Sequence, residues 1–412
     1  MKARPRVVPV VLAVALVASL VLLGIGHAQG TWVGTVTREG NITTVVNESG
    51  SLWGGAATLV EEASIGVDTG ADAYMFGRIG AVAASTDRIY VADLSVPVVR
   101  MYTFDGDHVG DIGRDGQGPG EYTYPTGIAI ADDGRAIVRS RARVIEYTAE
   151  GDHIVTYSMP IGGDVPFIVA ADGTPYGGVV VDPEATYFRL SYGVVAYGPE
   201  GPSGAPLVPP RFAVEPPHVS GPGSLPVRHA EEYVWTMDPW GNLIAGASGT
   251  YSFEIARPDG ATVIVRRLYD PVAVSNDERT AAERSVYDYY SRRGGRGGFR
   301  WTGPPIPRTK PAFVKFMPTW SGELWVLRAG PAELDEYGRQ RDSYIVDAFA
   351  ADGRFLGDVQ VPPGVKYWMG VFATDHGGPF AFVRDDLVLM PIEDEAGIIQ
   401  VKRYRLEPPT SR

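Results

Sequence analysis

Between Thr86 and Gly106 the chain reads Thr86-Asp87, then Ile89-Tyr90-Val91-Ala92-Asp93, then Val98-Val99-Arg100-Met101-Tyr102-Thr103-Phe104, then Asp105-Gly106. Two runs of β-branched and aromatic residues are bracketed by tight-turn residues and parted by a longer loop, which is the pattern of antiparallel strands. The first kind of turn recurs at Asp133-Gly134, Asp172-Gly173, Trp240-Gly241-Asn242, Ser321-Gly322 and Asp385-Asp386. The second recurs at Glu150-Gly151, Glu200-Gly201, Asp259-Gly260 and Asp352-Gly353. Two-residue hairpin connections need positive φ, which Gly adopts freely and Asp or Asn tolerates. Each unit therefore holds four antiparallel strands, and four per repeat is a propeller blade. Six first turns predict an all-β fold, a six-bladed β-propeller.

After Asp385-Asp386 the chain has room for only two more strands, Leu387 to Pro391 and roughly Ile398 to Leu406. One outer strand is missing, and an open last blade would leave a bare edge. The β-forming segment Thr31 to Val46 lies before the first blade, and it is expected to complete blade six and hold the ring shut. The expected division is residues 1–28 as a leader, 29–75 as the segment completing the last blade, and 76–412 as the propeller. One helix interrupts the pattern, Asn276 to about Arg292, opened by a Ser275-x-x-Glu278 capping box. It sits in an insertion of about residues 266–311, between blades four and five.

The stretch Gly116-Gln117-Gly118-Pro119-Gly120-Glu121-Tyr122, with Pro125-Thr126-Gly127-Ile128-Ala129 and Asp132-Asp133-Gly134, resembles the NHL repeat. So does Ile89 to Asp93 followed by Val99 to Phe104. Residues 31 to 406 are similar to exported bacterial six-bladed β-propellers of this type, many of which have no assigned activity. The resemblance implies a fold more firmly than a job, because propellers host lactonases, lyases, receptors and scaffolds.

Lys2, Arg4 and Arg6 precede an uncharged apolar run from Val7 to Ile25, followed by Gly26-His27-Ala28. This reads as an export signal, either cleaved or kept as an N-terminal anchor, and predicts a periplasmic or extracellular protein. An uncleaved N-terminal segment would be its one membrane contact. The 51 Gly and 33 Pro fit repeat punctuation, and with no Cys there is no disulfide, thiolate metal site or Cys nucleophile. A formal net charge of −12 argues against a nucleic-acid partner, despite the RGG-like run Arg292 to Trp301.

No Gly-x-Ser-x-Gly elbow is present. His108 and His153 each follow Gly-Asp at equivalent places, which sets them on outer strands. The leading expectation is a non-catalytic module or scaffold holding a protein or small-molecule ligand on its loop face. Asp93, Arg100, Arg139, Arg141, Arg189 and His229 are its candidate ligand residues, with Arg139, Arg141 and Arg189 as receivers of an anion. Arg296, Phe299, Arg300 and Trp301 form a candidate partner-binding loop, and no cofactor is expected. The alternative is a metal-dependent hydrolase or lyase, lactonase-like, with Ca or Zn held by carboxylate and His ligands at the central funnel. For Asp93 a second role is open, pairing with Arg100 or capping a loop.

Overall fold

The computed structural model describes residues 31–160, 167–185, 188–220, 224–292, 301, 303–334, 340–341, 343–365 and 381–409. The expected leader, residues 1–28, lies outside them. Among the described residues no helix is long and apolar enough to cross a membrane.

Six sheets form the blades, and in blades one to five the four blade strands are antiparallel and ordered in space as in sequence. Blade one is Ile79–Ala84, Arg88–Asp93, Val98–Thr103 and His108–Ile112. Blade two is Pro125–Ile130, Ala136–Ser140, Arg143–Tyr147 and His153–Ser158. Blade three runs from Ile168–Val169 to Gly201–Leu207, blade four from Tyr233–Met237 to Thr262–Arg267, and blade five from Lys315–Pro318 to Phe355–Val359. Blade six is Phe382–Arg384, Leu387–Glu393 and Ile399–Glu407.

The turn chemistry read from the sequence is present in the backbone. Gly134, Gly173, Gly241 and Gly322 of the first turns, and Gly106, Gly151, Gly201, Gly260 and Gly353 of the second, all have φ between 83° and 100°. Where blade six lacks the glycine, Asp385 takes φ 53°. These turns define one end of the propeller, the turn face. The links from second to third strand, and from each blade to the next, define the opposite loop face.

The ring is closed by an N-terminal strand, but not by Thr31 to Val46. The fourth strand of blade six is Thr58–Ile65, antiparallel to Ile399–Glu407. Charge selects it: Glu61 pairs with Lys402 at 2.8 Å, and Glu62 with Arg403 at 3.1 Å and Arg405 at 2.8 Å. The expected segment instead folds as a hairpin, Val33–Glu39 with Ile42–Ser49, whose second strand runs parallel to the outer strand of blade four. At its end the buried Asn47 binds two blades at once. Its Nδ2 donates to Arg266 O of blade four and Gly353 O of blade five, and its Oδ1 accepts from Phe355 N and Trp32 Nε1. The chain continues along blade five, where Leu52 N donates to Phe355 O and Ala57 N to Asp358 O. Residues 42–65 thus form a strap over the rims of blades four, five and six.

Helix Asn276–Arg292 lies in the insertion between blades four and five, as expected. Its capping box is formed, Ser275 N donating to Glu278 Oε2 at 2.8 Å and Glu278 N to Ser275 Oγ at 3.1 Å. Glu278 also meets Lys310 at 2.5 Å in a buried pair. Ala282, Val286 and Tyr290 pack on Val219, Leu225 and Val227. These come from a hairpin, His218–Ser220 with Ser224–Pro226, between blades three and four. The two insertions share one small core, with Tyr290 OH donating to Val219 O at 2.9 Å.

Candidate functional site

The sequence-predicted ligand residues all fall on second-strand ends, on the third strands that pair with those ends, or on links, so the topology places them toward the loop face. They do not form one constellation. In blade one, Asp93 ends the second strand and is fully buried. Its carboxylate accepts from Gly77 N, Arg78 N and Ser95 N, and pairs with the buried Arg100 at 3.1 Å. Four donors leave it no capacity for a ligand. Asp93 caps the loop and neutralises Arg100, the structural role left open above.

Blade two repeats the loop-capping part of this geometry with other side chains. Ser140 stands where Asp93 stands: each is the last residue of a second strand, and each accepts from the residue just before its inner strand, Arg78 N or Tyr124 N. Ile145 stands where Arg100 stands, and Arg139, one residue before Ser140 and paired with Val144, takes the place of Ala92 on the other face of the strand. Its guanidinium is only 5% exposed. Nε donates to Arg141 O at 3.1 Å, Nη2 to Pro160 O at 3.4 Å, and the group lies 5.9 Å from the centre of the Phe167 ring. Burial alone holds its pKa below the ordinary arginine value.

Arg141 occupies the two-residue turn between Ser140 and Arg143 with φ 53°, a place where Gly or Asn is usual. Its exposed guanidinium lies 5.4 Å from the centre of the Tyr124 ring. Arg143 donates to Glu121 O and Gly118 O. Among the described residues none of these three arginines has a carboxylate within ion-pair distance. That is uncommon in a chain of net charge −12. A cluster of this kind can hold a planar oxyanion between two aromatic-backed guanidiniums.

The other expectations are placed as follows. Arg189 lies in the 3-10 turn Phe188–Ser191 between the second and third strands of blade three, and its side chain is outside the described residues. His229, with φ 63°, sits in the turn Val227–Ala230 before blade four. Of the partner-binding loop, Arg296, Phe299 and Arg300 lie outside the described residues. Trp301 packs against the insertion core and donates to Gly303 O and Pro304 O. His108 and His153 begin the outer strands of blades one and two, each edge-on to a tyrosine, Tyr102 and Tyr147. Among the described residues no three His, Asp or Glu side chains converge as metal ligands.

One buried polar cluster has no counterpart in the sequence reading. Asp347, fully buried in the third strand of blade five, binds Arg328 at 3.3 Å, Arg267 of blade four at 3.0 Å, and Tyr251 OH of blade four at 2.5 Å. Arg267 also stacks over Phe355 at 3.9 Å. The cluster locks two blades beneath the strap. Asp358 pairs across the strands with Asp347, and burial together with the Asp347 charge pushes its carboxyl up to about 6. A carboxyl raised above its unfolded value takes up a proton on folding. Its favourable contribution is therefore complete below about pH 4 and is lost as pH rises through about 6. Its side chain is 49% exposed, so solvent screens the effect. Thermal melts should show Asp358→Asn stabilising the fold at about pH 8 and neutral at about pH 4; destabilisation at the higher pH would contradict this account.

Residues 65–170 match the DUF5128 family model, described as a 6-bladed beta-propeller. No curated protein matches the chain in sequence. Among solved structures it is similar to a member of the DUF4221 family from Bacteroides vulgatus, at 12% identity and TM-score 0.51, covering 86% of this chain and 99% of that one. A Bacteroides fragilis protein whose name suggests export aligns at 10% identity and TM-score 0.44, over 86% of this chain and 95% of that one. Virginiamycin B lyase from Staphylococcus aureus aligns at 10% identity and TM-score 0.36, over 79% and 94%. At these identities the likeness speaks to fold alone, and with the six sheets it gives the conclusion that this chain is a six-bladed β-propeller.

Proposed function

We propose that the propeller is an exported binding module that holds an anionic ligand on its loop face, at Arg139 and Arg141 of blade two. The observation that carries this reading is the buried Arg139, whose guanidinium has only carbonyl oxygens and the Phe167 ring as partners among the described residues. Keeping a desolvated cation without a counter-charge costs free energy that a structural role would not require. The left-handed backbone at Arg141 costs about 1 kcal/mol more and points the same way. Phe167 and Tyr124 give the site apolar walls, so an oxyanion there exchanges water for two guanidiniums in a partly dry setting. Export is supported by the cations Lys2, Arg4 and Arg6 ahead of the apolar run Val7 to Ile25.

Isothermal calorimetry against inorganic phosphate, citrate and poly-glutamate tests the reading. At least one should bind with an affinity that falls as sodium chloride is raised, and Arg139→Met should weaken it by about tenfold or more. Absence of binding by all three, or identical binding by the variant, would count against an anion site on this blade.

A further inference from the structure

We propose that Val33–Glu39, the outermost strand of the blade-four sheet, is a pairing edge for a second copy of this chain. It belongs to another blade than Arg139 and is independent of the anion site. The edge of a sheet offers unpaired N–H and C=O groups to any passing strand, and a β-bulge blunts it by bending the strand and leaving one residue out of register. Five of the six blades are blunted in this way. Between third and fourth strands the register shifts at Met101/Tyr102 in blade one, Glu146/Tyr147 in blade two, Val194/Ala196 in blade three, Ala348/Phe349 in blade five and Glu61/Ala63 in blade six. Blade four pairs without a shift, from Ser252 with Arg266 to Ala256 with Thr262. Among the described residues it is also the one blade whose sheet takes on further strands, Ile42–Ser49 and then Val33–Glu39. In this molecule a regular outer strand is a paired one.

The same rule reaches Val33–Glu39. Its one register shift lies at Val33/Gly34, so Gly34 to Glu39 run straight against Asn47 to Ile42. Among the described residues no strand pairs with its other edge. Thr35 to Glu39 are all exposed, Val36 at 44%, and the strand carries no proline and no charge before Arg38 and Glu39. Its occupant must bring a straight free edge, and the chain supplies one in this strand itself. Two copies related by a twofold axis through Val36 join it antiparallel to its own image. Val36 then faces Val36 of the second copy, Thr35 faces Thr37, Gly34 faces Arg38 and Val33 faces Glu39. Threonine and β-branched pairs across strands are favourable, and in this register no charge meets its like. Gly34 leaves room for the facing arginine beside the Trp32 indole, which lies over it. One strand from each copy makes a small interface, so the association depends on concentration.

Sedimentation equilibrium of the whole exported chain tests this, and a monomer–dimer equilibrium should appear as concentration rises through the micromolar range. Thr35→Lys/Thr37→Lys sets lysine against lysine at both threonine pairs and should raise the dissociation constant by about tenfold. Thr35→Glu/Thr37→Lys sets opposite charges face to face and should not weaken the dimer. The chain has no cysteine, so Val36→Cys carries a single thiol. On mild oxidation it should cross-link to its own image far faster than Val109→Cys, a site of similar exposure, 48%, on the outer strand of blade one. Equal cross-linking of the two cysteine variants, or a dimer indifferent to both charge pairs, would overturn the proposal. So would a monomer at every concentration, which would leave the edge to an extended segment of another protein. The unsubstituted chain and the cysteine variants decide the matter whether or not the charge variants fold.

Discussion

Replacing Asp347 with alanine is expected to cost about 3–5 kcal/mol, the range for breaking a buried ion pair by removing one partner. The carboxylate is fully buried and receives Arg328, Arg267 and Tyr251. Its removal strands two guanidiniums that are 14% and 9% exposed, with one coming from each blade. Asn at this place fits the volume but keeps only a neutral oxygen for two cations, so Asp347→Asn should fall between wild type and Ala. Chemical denaturation of the three proteins checks the order. A loss under about 1 kcal/mol in the alanine variant would mean that the cluster is an exposed-type ion pair of little worth and does not lock the blades.

The second large effect concerns the strap. A chain beginning at Thr58 retains the fourth strand of blade six but loses the hairpin and Asn47, so it should fold with a lowered melting temperature. A chain beginning at Gly66 also loses Thr58–Ile65, the buried Ile65 and the pairs of Glu61 and Glu62 with Lys402, Arg403 and Arg405. Blade six is then open to water along its whole outer edge. The further loss should exceed about 4 kcal/mol, enough to leave most of the protein unfolded or aggregated. Circular dichroism melts and size-exclusion profiles of the two chains measure it. Equal melting temperatures for both truncations would refute closure by Thr58–Ile65.

The strap also shows where the sequence could be read and where it could not. The turn residues were legible because a local backbone demand, positive φ, selects Gly, and nine of the predicted turn glycines meet it. The helix was legible for the same reason, its capping box being a contact three residues long. Closure was not. Thr31 to Val46 has the stronger β-forming sequence, while Thr58–Ile65 carries two adjacent glutamates that weaken its strand signal. Those glutamates identify the correct partner only once Lys402, Arg403 and Arg405 are known to lie alongside, some 340 residues away. The Asp347 cluster was hidden likewise, since its members are scattered from Tyr251 to Asp347 and no periodicity links them. The candidate site falls between these cases. Arg139 and Arg141 could be placed at a strand end from the blade pattern alone. That Ser140 replaces the acid of blade one becomes apparent only when the two blades are laid strand upon strand.

The central claim is that Arg139 is kept for a ligand and not for the fold, and this makes two effects of one substitution oppose each other. In Arg139→Met a methionine of similar reach fills the space with no charge to desolvate. Its melting temperature without ligand should equal or exceed that of the wild type, by an amount on the order of 1 kcal/mol. The same variant should lose the rise in melting temperature that a binding oxyanion gives the wild type. Thermal melts of the two proteins with and without that oxyanion provide the most direct measurement. A less stable variant that still responds to the anion would contradict the account, making Arg139 a structural residue and placing the ligand elsewhere.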